Sequence, residues 1–391
     1  MSRSKLLSAA LLIALTVTTL IGIPAATAQD EPLKITNVVN GTLGDKSFFD
    51  SAQRGMDRLV EEGYNVEVNT IELGTDPANW ESGLADAMAD TDAYDLLIVG
   101  TFQMGEFLAQ RVHLYPDKFF FMYDDQVGYD NPEMCFEGCT NVYSVTYAQN
   151  EGSFLAGVYA GAITRSDLEG VNEDHVIGAV GGQDIPVIND FIAGYEQGAC
   201  LVNPDNQLLV QYAGGWFDPA EGKEIALAMY EQRADIVFQI AGGTGAGVFE
   251  AAEEQGKYAI GVDSDQASIL VETNPEQAER ILTSMMKNVD NSLFRAVDLH
   301  LKGELVYGEA EVLGIAEGGV GLADNDIYED NTPEWILDLV DAAADAVDEG
   351  EVTIVTVFED RVPLGYELAS VGQGCDAMPE VDFDITEFLP E

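Results

Sequence analysis

Positive charge is what this chain has least of. Against 70 Asp and Glu it carries 17 Lys and Arg, a net charge of −53, and a surface of that sign repels DNA, RNA and anionic lipid. Nucleic-acid binding is thereby excluded, and a phosphorylated ligand would need a local cationic clamp. None is visible: Lys223 and Lys257 each follow a glycine, but neither precedes the Ser or Thr of a phosphate-binding loop. Histidine is scarcer still, and His113, His175 and His300 stand far apart, so no metal site is expected. G-x-S-x-G, H-E-x-x-H and a Cys with a local His partner are missing, and carboxylates are too abundant for any pair of them to signal acid–base chemistry. The expectation is a protein that is not an enzyme and takes no cofactor.

Long apolar runs are confined to the start. Arg3 and Lys5 precede an apolar stretch from Leu6 to Ile23, then Pro24 and Ala26-Thr27-Ala28, the three parts of an export signal cleaved after residue 28. An exported, soluble protein outside the cytoplasm is expected, with no lipid-anchor cysteine. The four cysteines of such a chain point to disulfides, with three pairings open. Cys135 and Cys139, in the loop CFEGC, are the expected pair, two free thiols or a metal half-site being the alternatives.

What is present is an alternation of strands and helices organised around residues 234–266. Ile236 to Ile240 reads as a buried parallel strand, and Gly242, Gly243, Gly245 and Gly247 then let the backbone approach a ligand before a helix from Val248 to Gln255. A second strand, Tyr258 to Val262, ends in Asp263, Ser264 and Asp265. The same plan occurs earlier, where Tyr94 to Gly100 and Lys118 to Asp125 flank a helix over Met104 to Leu114 and the unit closes on Asp124 and Asp125. Two similar α/β lobes follow, with polar groups at their strand ends, where open parallel sheets bind ligands. Strands are also expected at Ile35–Val39, Val66–Leu73, Asn141–Tyr147, Val176–Val180, Leu208–Gln211 and Ala310–Ala316. Glu151 to Ile163, with Gly152, Gly157 and Gly161, reads as a helix built for close packing. Pro275 to Leu301 reads as one long helix with an Ile281, Met285, Val289 and Leu293 stripe. The lobes are expected at 34–147 with 267–316 and at 148–266 with 317–358, followed by an acidic tail over 359–391 that wraps irregularly or moves freely. Phe48, Phe49, Trp216 and Phe217 stand at loop-to-helix junctions, placed to close on a planar ring from both lobes.

Five ordered blocks then carry a resemblance: GDKSFFDSAQRG from Gly44, YAQNEGSFLAGVYAG from Tyr147, GAVGGQDIPVINDFIAGYEQGA from Gly178, GGWFDPAEGKEIALAMY from Gly214, and FQIAGGTGAGVFEAAEEQGKYAIGVDSDQ from Phe238, with SMMKNVD from Ser284. The chain resembles the basic membrane protein family, substrate-binding proteins of ABC transporters that include purine nucleoside receptors. The resemblance implies a type I periplasmic-binding fold of two Rossmann-like lobes joined by a hinge of several crossings. It also implies a monomer that closes over a nucleoside or similar ring-bearing solute and delivers it to an ABC permease; a sensor reporting to a membrane receptor is the alternative. By the same resemblance Phe48 and Phe217 would sandwich the base and Asp45 would face its polar edge. Asp125 or its neighbour Asp124, with Asp263 and Lys287, would hold ribose hydroxyls, and Gly243 would bring backbone to the sugar. Phe49 stands where the family has Asn, so an amide that reads the base is expected to be missing.

Overall fold

The computed structural model describes residues 31–358, 371–379, 381–386 and 388–389; the expected export signal at 1–28 and the 359–370 part of the tail lie outside them. Each lobe is built on a six-stranded sheet. The first holds β1 (Leu33–Val39), β2 (Val66–Glu72), β3 (Leu96–Gly100), β4 (Phe119–Tyr123), β5 (Val142–Tyr147) and β11 (Glu309–Leu313), in the order β11-β5-β4-β3-β1-β2 and parallel throughout. The second holds β6 (Val176–Gly181), β7 (Gln207–Tyr212), β8 (Ala234–Ile240), β9 (Tyr258–Asp263), β10 (Ile281–Lys287) and β12 (Val320–Leu322), ordered β12-β10-β9-β8-β6-β7, with only β12 antiparallel. Strands β3, β6, β8 and β9 are buried at every position, as apolar runs covered by helices on both faces must be.

Twelve α-helices are described: α1 (Phe48–Glu61), α2 (Trp80–Ala89), α3 (Phe102–Ala109), α4 (Gln149–Ile163), α5 (Pro186–Val202), α6 (Pro219–Glu231), α7 (Ala246–Gln255), α8 (Gln266–Leu270), α9 (Pro275–Ala278), α10 (Val289–Lys302), α11 (Asp326–Asn331) and α12 (Glu334–Asp348). Glycine sets the closest contact, as expected for α4. A Cβ at Gly157 would meet the Tyr195 carbonyl oxygen at 2.0 Å, and at Gly194 and Gly198 of α5 it would strike the oxygens of Asn150 and Phe154 at 2.1 and 2.0 Å. Any side chain there would separate the two helices.

The expected helix over Pro275 to Leu301 is corrected: the segment is short α9, then strand β10, then α10. Its apolar residues recur every four positions, and four is a multiple of the strand period as well as close to one helical turn, so Ile281 and Met285 fit either reading. β10 lies beside β9 in the second sheet, whereas α10 packs on α1, where Gly55 lets the Asp290 backbone approach. The chain therefore changes sheet after Tyr147, around Asn288 and between Leu313 and Val320. The second crossing falls some twenty residues beyond its expected place at Gln266.

Cys135–Cys139 is a disulfide, and Cys200 pairs with Cys375. The latter fastens the described part of the tail to α5, where Glu196 also accepts the backbone N–H groups of Gly372 and Gly374 at 2.7 and 2.8 Å. The two bonds span 4 and 175 residues, and the chain-entropy model assigns about 2 and about 5 kcal/mol to such loops. Replacing Cys200 and Cys375 by Ser should therefore lower the urea midpoint clearly more than replacing Cys135 and Cys139. Equal shifts would show that the tail clasp constrains little.

Candidate functional site

The carboxyl ends of both sheets face one cleft of about 720 Å³, part of it open to solvent. Its walls are aromatic and aliphatic. Phe48 at the start of α1 comes from the first lobe, Trp216 and Phe217 before α6 from the second, and Phe191 and Val262 add apolar surface. The glycine turn explains how the second-lobe aromatics are held. Thr244 donates its backbone N–H to the Trp216 oxygen at 3.0 Å, and its hydroxyl accepts the Asp218 N–H at 2.9 Å, so the turn grips the aromatic loop from behind. Gly242, at φ 55°, and Gly243 border the cleft, while Gly245 and Gly247 press against Gln239 and Pro219 and serve packing.

Polar groups converge beneath these rings. Lys287, at the end of β10, is 2% exposed and ion-pairs with Asp124, at the end of β4. Its ammonium lies 4.9 Å from the Phe191 ring centre, 5.4 Å from Tyr147 and 5.8 Å from Phe48, which stabilises a desolvated cation. Asp263, ending β9, accepts the Ser47 hydroxyl at 2.6 Å. Both contacts join one lobe to the other, as do the Ser264 hydroxyl to the Ser47 oxygen at 2.9 Å and the Gln266 amide to the Lys46 oxygen at 3.1 Å. Burial pushes the Asp263 carboxyl up to about 6, and Asp124 and Asp45 add to that push, while Lys287 and Ser47 oppose it. Asp124, Asp263 and Thr101 all have positive φ, at 62°, 65° and 75°. Such backbone costs of order 1–3 kcal/mol per residue and concentrates at binding sites.

Of the ten residues singled out in the sequence, nine border this cleft: Asp45, Phe48, Phe49, Asp124, Trp216, Phe217, Gly243, Asp263 and Lys287. Asp125 does not. β4 ends at Tyr123 and the backbone turns at Asp124, φ 62°, so that Asp125 lies in a neighbouring cavity beside Gln126, Thr146 and Gln149, where burial raises its carboxyl to about 7. Asp45 borders the cleft but is committed to structure, accepting the backbone N–H groups of Ser47, Phe49 and Asp50 at 3.0, 2.9 and 3.1 Å. Phe49 is buried, edge-on to Phe48 with ring centres 5.3 Å apart, and lies flush on Gly41. Sequence reasoning passed over Asn40, Trp80, Thr101, Phe102 and Gln103, which also border the cleft. The ends of β1 and β3 were the available signal for Asn40 and Thr101.

The family model described as "ABC transporter substrate-binding protein PnrA-like" matches residues 33–343. The chain belongs to that family. Among its relatives is the ABC transporter nucleoside-binding protein BmpA of Lactococcus lactis subsp. cremoris, 29% identical over 328 residues, covering 80% of this chain and 86% of that one. Basic membrane protein A of Borreliella afzelii is 32% identical over 295 residues, covering 75% and 83%. An ABC transporter solute-binding protein of Aeropyrum pernix K1 has a crystal structure that superposes with a TM-score of 0.73 at 26% identity, covering 84% of this chain and 94% of that one. The protein is thus the substrate-binding component of an ABC transporter, with the two-lobed fold of that class. A sensor reporting to a receptor is not favoured by this membership, and the family is one of transporter components, not enzymes.

The raised carboxyl of Asp263 has a consequence for stability. The folded chain binds this proton more tightly than the unfolded chain, whose Asp titrates near 3.9, so ionising the buried group costs stability as pH rises from about 4 through 6. Asp263→Asn, which can still accept from Ser47, should stabilise the ligand-free protein by on the order of 2 kcal/mol at pH 7.5. That gain should vanish below about pH 4. A pH-independent difference in denaturation midpoint would contradict it.

Proposed function

We propose that the cleft binds a nucleoside for import. The observation that carries this reading is a polar floor of Asp124, Lys287 and Asp263 lying under aromatic walls contributed by both lobes. A nucleoside has the matching division, a flat ring to be stacked and a diol to be hydrogen-bonded. Phe48 and Phe217 take the two faces of the base, with Trp216 at its margin, at about 0.5–1.5 kcal/mol per ring pair beyond area burial. Asp263 accepts ribose hydroxyl protons through the carboxylate oxygen that Ser47 leaves, and Lys287 donates to hydroxyl oxygens while it neutralises Asp124. The Gly243 backbone borders the same space without a side chain. Asp125 is left out of the direct contacts. The chain acts as a monomer outside the cytoplasm after loss of residues 1–28, handing its ligand to the permease, and catalyses nothing.

Isothermal titration with guanosine, inosine and adenosine tests the reading, each paired with its 2′,3′-dideoxy analogue. Asp263→Ala should weaken the ribosides by about 1–3 kcal/mol and leave the already weaker dideoxy compounds unchanged. Equal losses for both would remove Asp263 from the sugar.

Closure has its own signature, because the site is split and the Ser47–Asp263 and Lys287–Asp124 contacts can form only when the lobes meet. Small-angle scattering should show a smaller radius of gyration with saturating nucleoside than without. Scattering that does not change on saturation would mean that binding involves no lobe movement.

A further inference from the structure

The chain beyond residue 343 lies outside the family match, yet part of it is built into the fold beside the hinge. Residues 352–357 are buried at all but one position and run along α5. Asp190, Glu196 and Gln197 of that helix are at most 2% exposed, and all three bond to the tail. Gln197 accepts the Val355 N–H at 2.9 Å, and Asp190 Oδ1 accepts the Thr356 hydroxyl at 2.6 Å and the Val357 N–H at 3.0 Å; Glu196 holds Gly372 and Gly374 farther along. The first turn of α4 grips the same segment. Asn150 donates to the Val355 oxygen at 3.0 Å, and Gln149 donates to the other Asp190 oxygen at 2.6 Å. Gln149 stands just past Tyr147, where the chain first changes lobe.

This clasp fixes the place of Phe358, the next residue. Hydrogen bonds to a buried carboxylate are among the stronger ones, so the segment that carries the ring is tied firmly to the second lobe. Phe358 borders the cavity that holds Asp125, a space of about 810 Å³, part of it open to solvent. Its walls come from both lobes: Phe102 and Gln126 belong to the first, Ile185 and Val187 to the second. Phe358 does not border the ligand cleft. A ring fastened to one lobe thus reaches a space whose other wall is the opposite lobe, where Phe102 is 40% exposed.

We infer that Phe358 is a positioning residue for lobe closure, presented by the tail clasp to the first lobe. Parting the lobes gives the apolar surface of this space to water, and bringing them together withdraws it, so the ring favours the closed arrangement. Because Phe358 lies outside the ligand cleft, it acts on affinity through the population of the closed form alone, and the apparent dissociation constant of any ligand scales with that population. The inference rests on the closure proposed above and is independent of which solute fills the cleft.

The test reads the opening of the lobes directly. Spin labels at Thr75→Cys and Ala220→Cys, exposed positions that follow the edge strands β2 and β7 on the side away from the crossings, report their separation by double electron–electron resonance. The four native cysteines are paired and take no label. In the ligand-free protein Phe358→Ala should shift the distances to longer values, and Phe358→Leu should restore most of the shift. Titration with inosine and with 2′,3′-dideoxyinosine should show both weakened by the same factor, about threefold or more. A distance distribution unmoved by Phe358→Ala overturns the inference, including the case in which only the melting temperature falls. Unequal losses for the two ligands overturn it as well, because they would put the ring on the ligand. A shift to longer distances in a protein that binds neither compound upholds the inference and removes the nucleoside reading instead.

Discussion

The buried ammonium of Lys287 is the constraint on which the closed arrangement depends. An ion of this kind loses several kcal/mol of hydration on burial, and the ion pair with Asp124 together with three aromatic rings makes the position tenable. These partners come from different lobes. Lys287 ends a strand of the second sheet and Asp124 follows one of the first, so the ion pair exists only while the lobes are together. Removing either charge would leave the other buried and uncompensated, which is the costly half of any such pair. Residues of the opposed lobes are therefore coupled through one electrostatic contact at the floor of the cleft.

Strand-end geometry makes that contact possible. Both sheets direct their carboxyl ends to the same space, where the backbone leaves the pleat and can take conformations that a strand interior forbids. Thr101, Asp124 and Asp263 use positive φ at these ends to swing their side chains over the cleft. Away from the rim, the glycines of the α4–α5 pair bring two helices almost backbone to backbone.

Much of this was legible in the sequence because it rests on period and position. Apolar runs bounded by glycine or acid located β3, β4, β8 and β9, and the carboxylates closing them pointed to the cleft. β10 was not legible, since residues spaced by four satisfy a helix and a strand alike, and with it the hinge crossing at Asn288 was displaced. Which of two adjacent acids faces the ligand was open for a similar reason: Asp124 and Asp125 are equivalent in composition, and only the turn of the backbone after Tyr123 separates them. Asn40 escaped because a single amide after a strand carries no pattern; only the fold, which sets it against Thr101, places it on the cleft wall.

The acidity of the chain also bears on what the cleft can admit. Lys287 is the sole Lys or Arg bordering the cleft among the described residues, and its charge is taken up by Asp124. Asp45 and Asp263 then add negative character inside a wall of low polarisability, where charges interact more strongly than in water. A phosphate group entering here would meet no unpaired cation, no helix N-terminus left open at α1, whose first N–H groups are already given to Asp45, and a net charge of its own sign over the whole molecule. The hydroxyls of the proposed ligand meet no such opposition, because a carboxylate can take their protons in hydrogen bonds and an ammonium can donate to their oxygens. On the nucleoside reading proposed above, discrimination against the phosphorylated form follows from the charges the cleft lacks as much as from those it has.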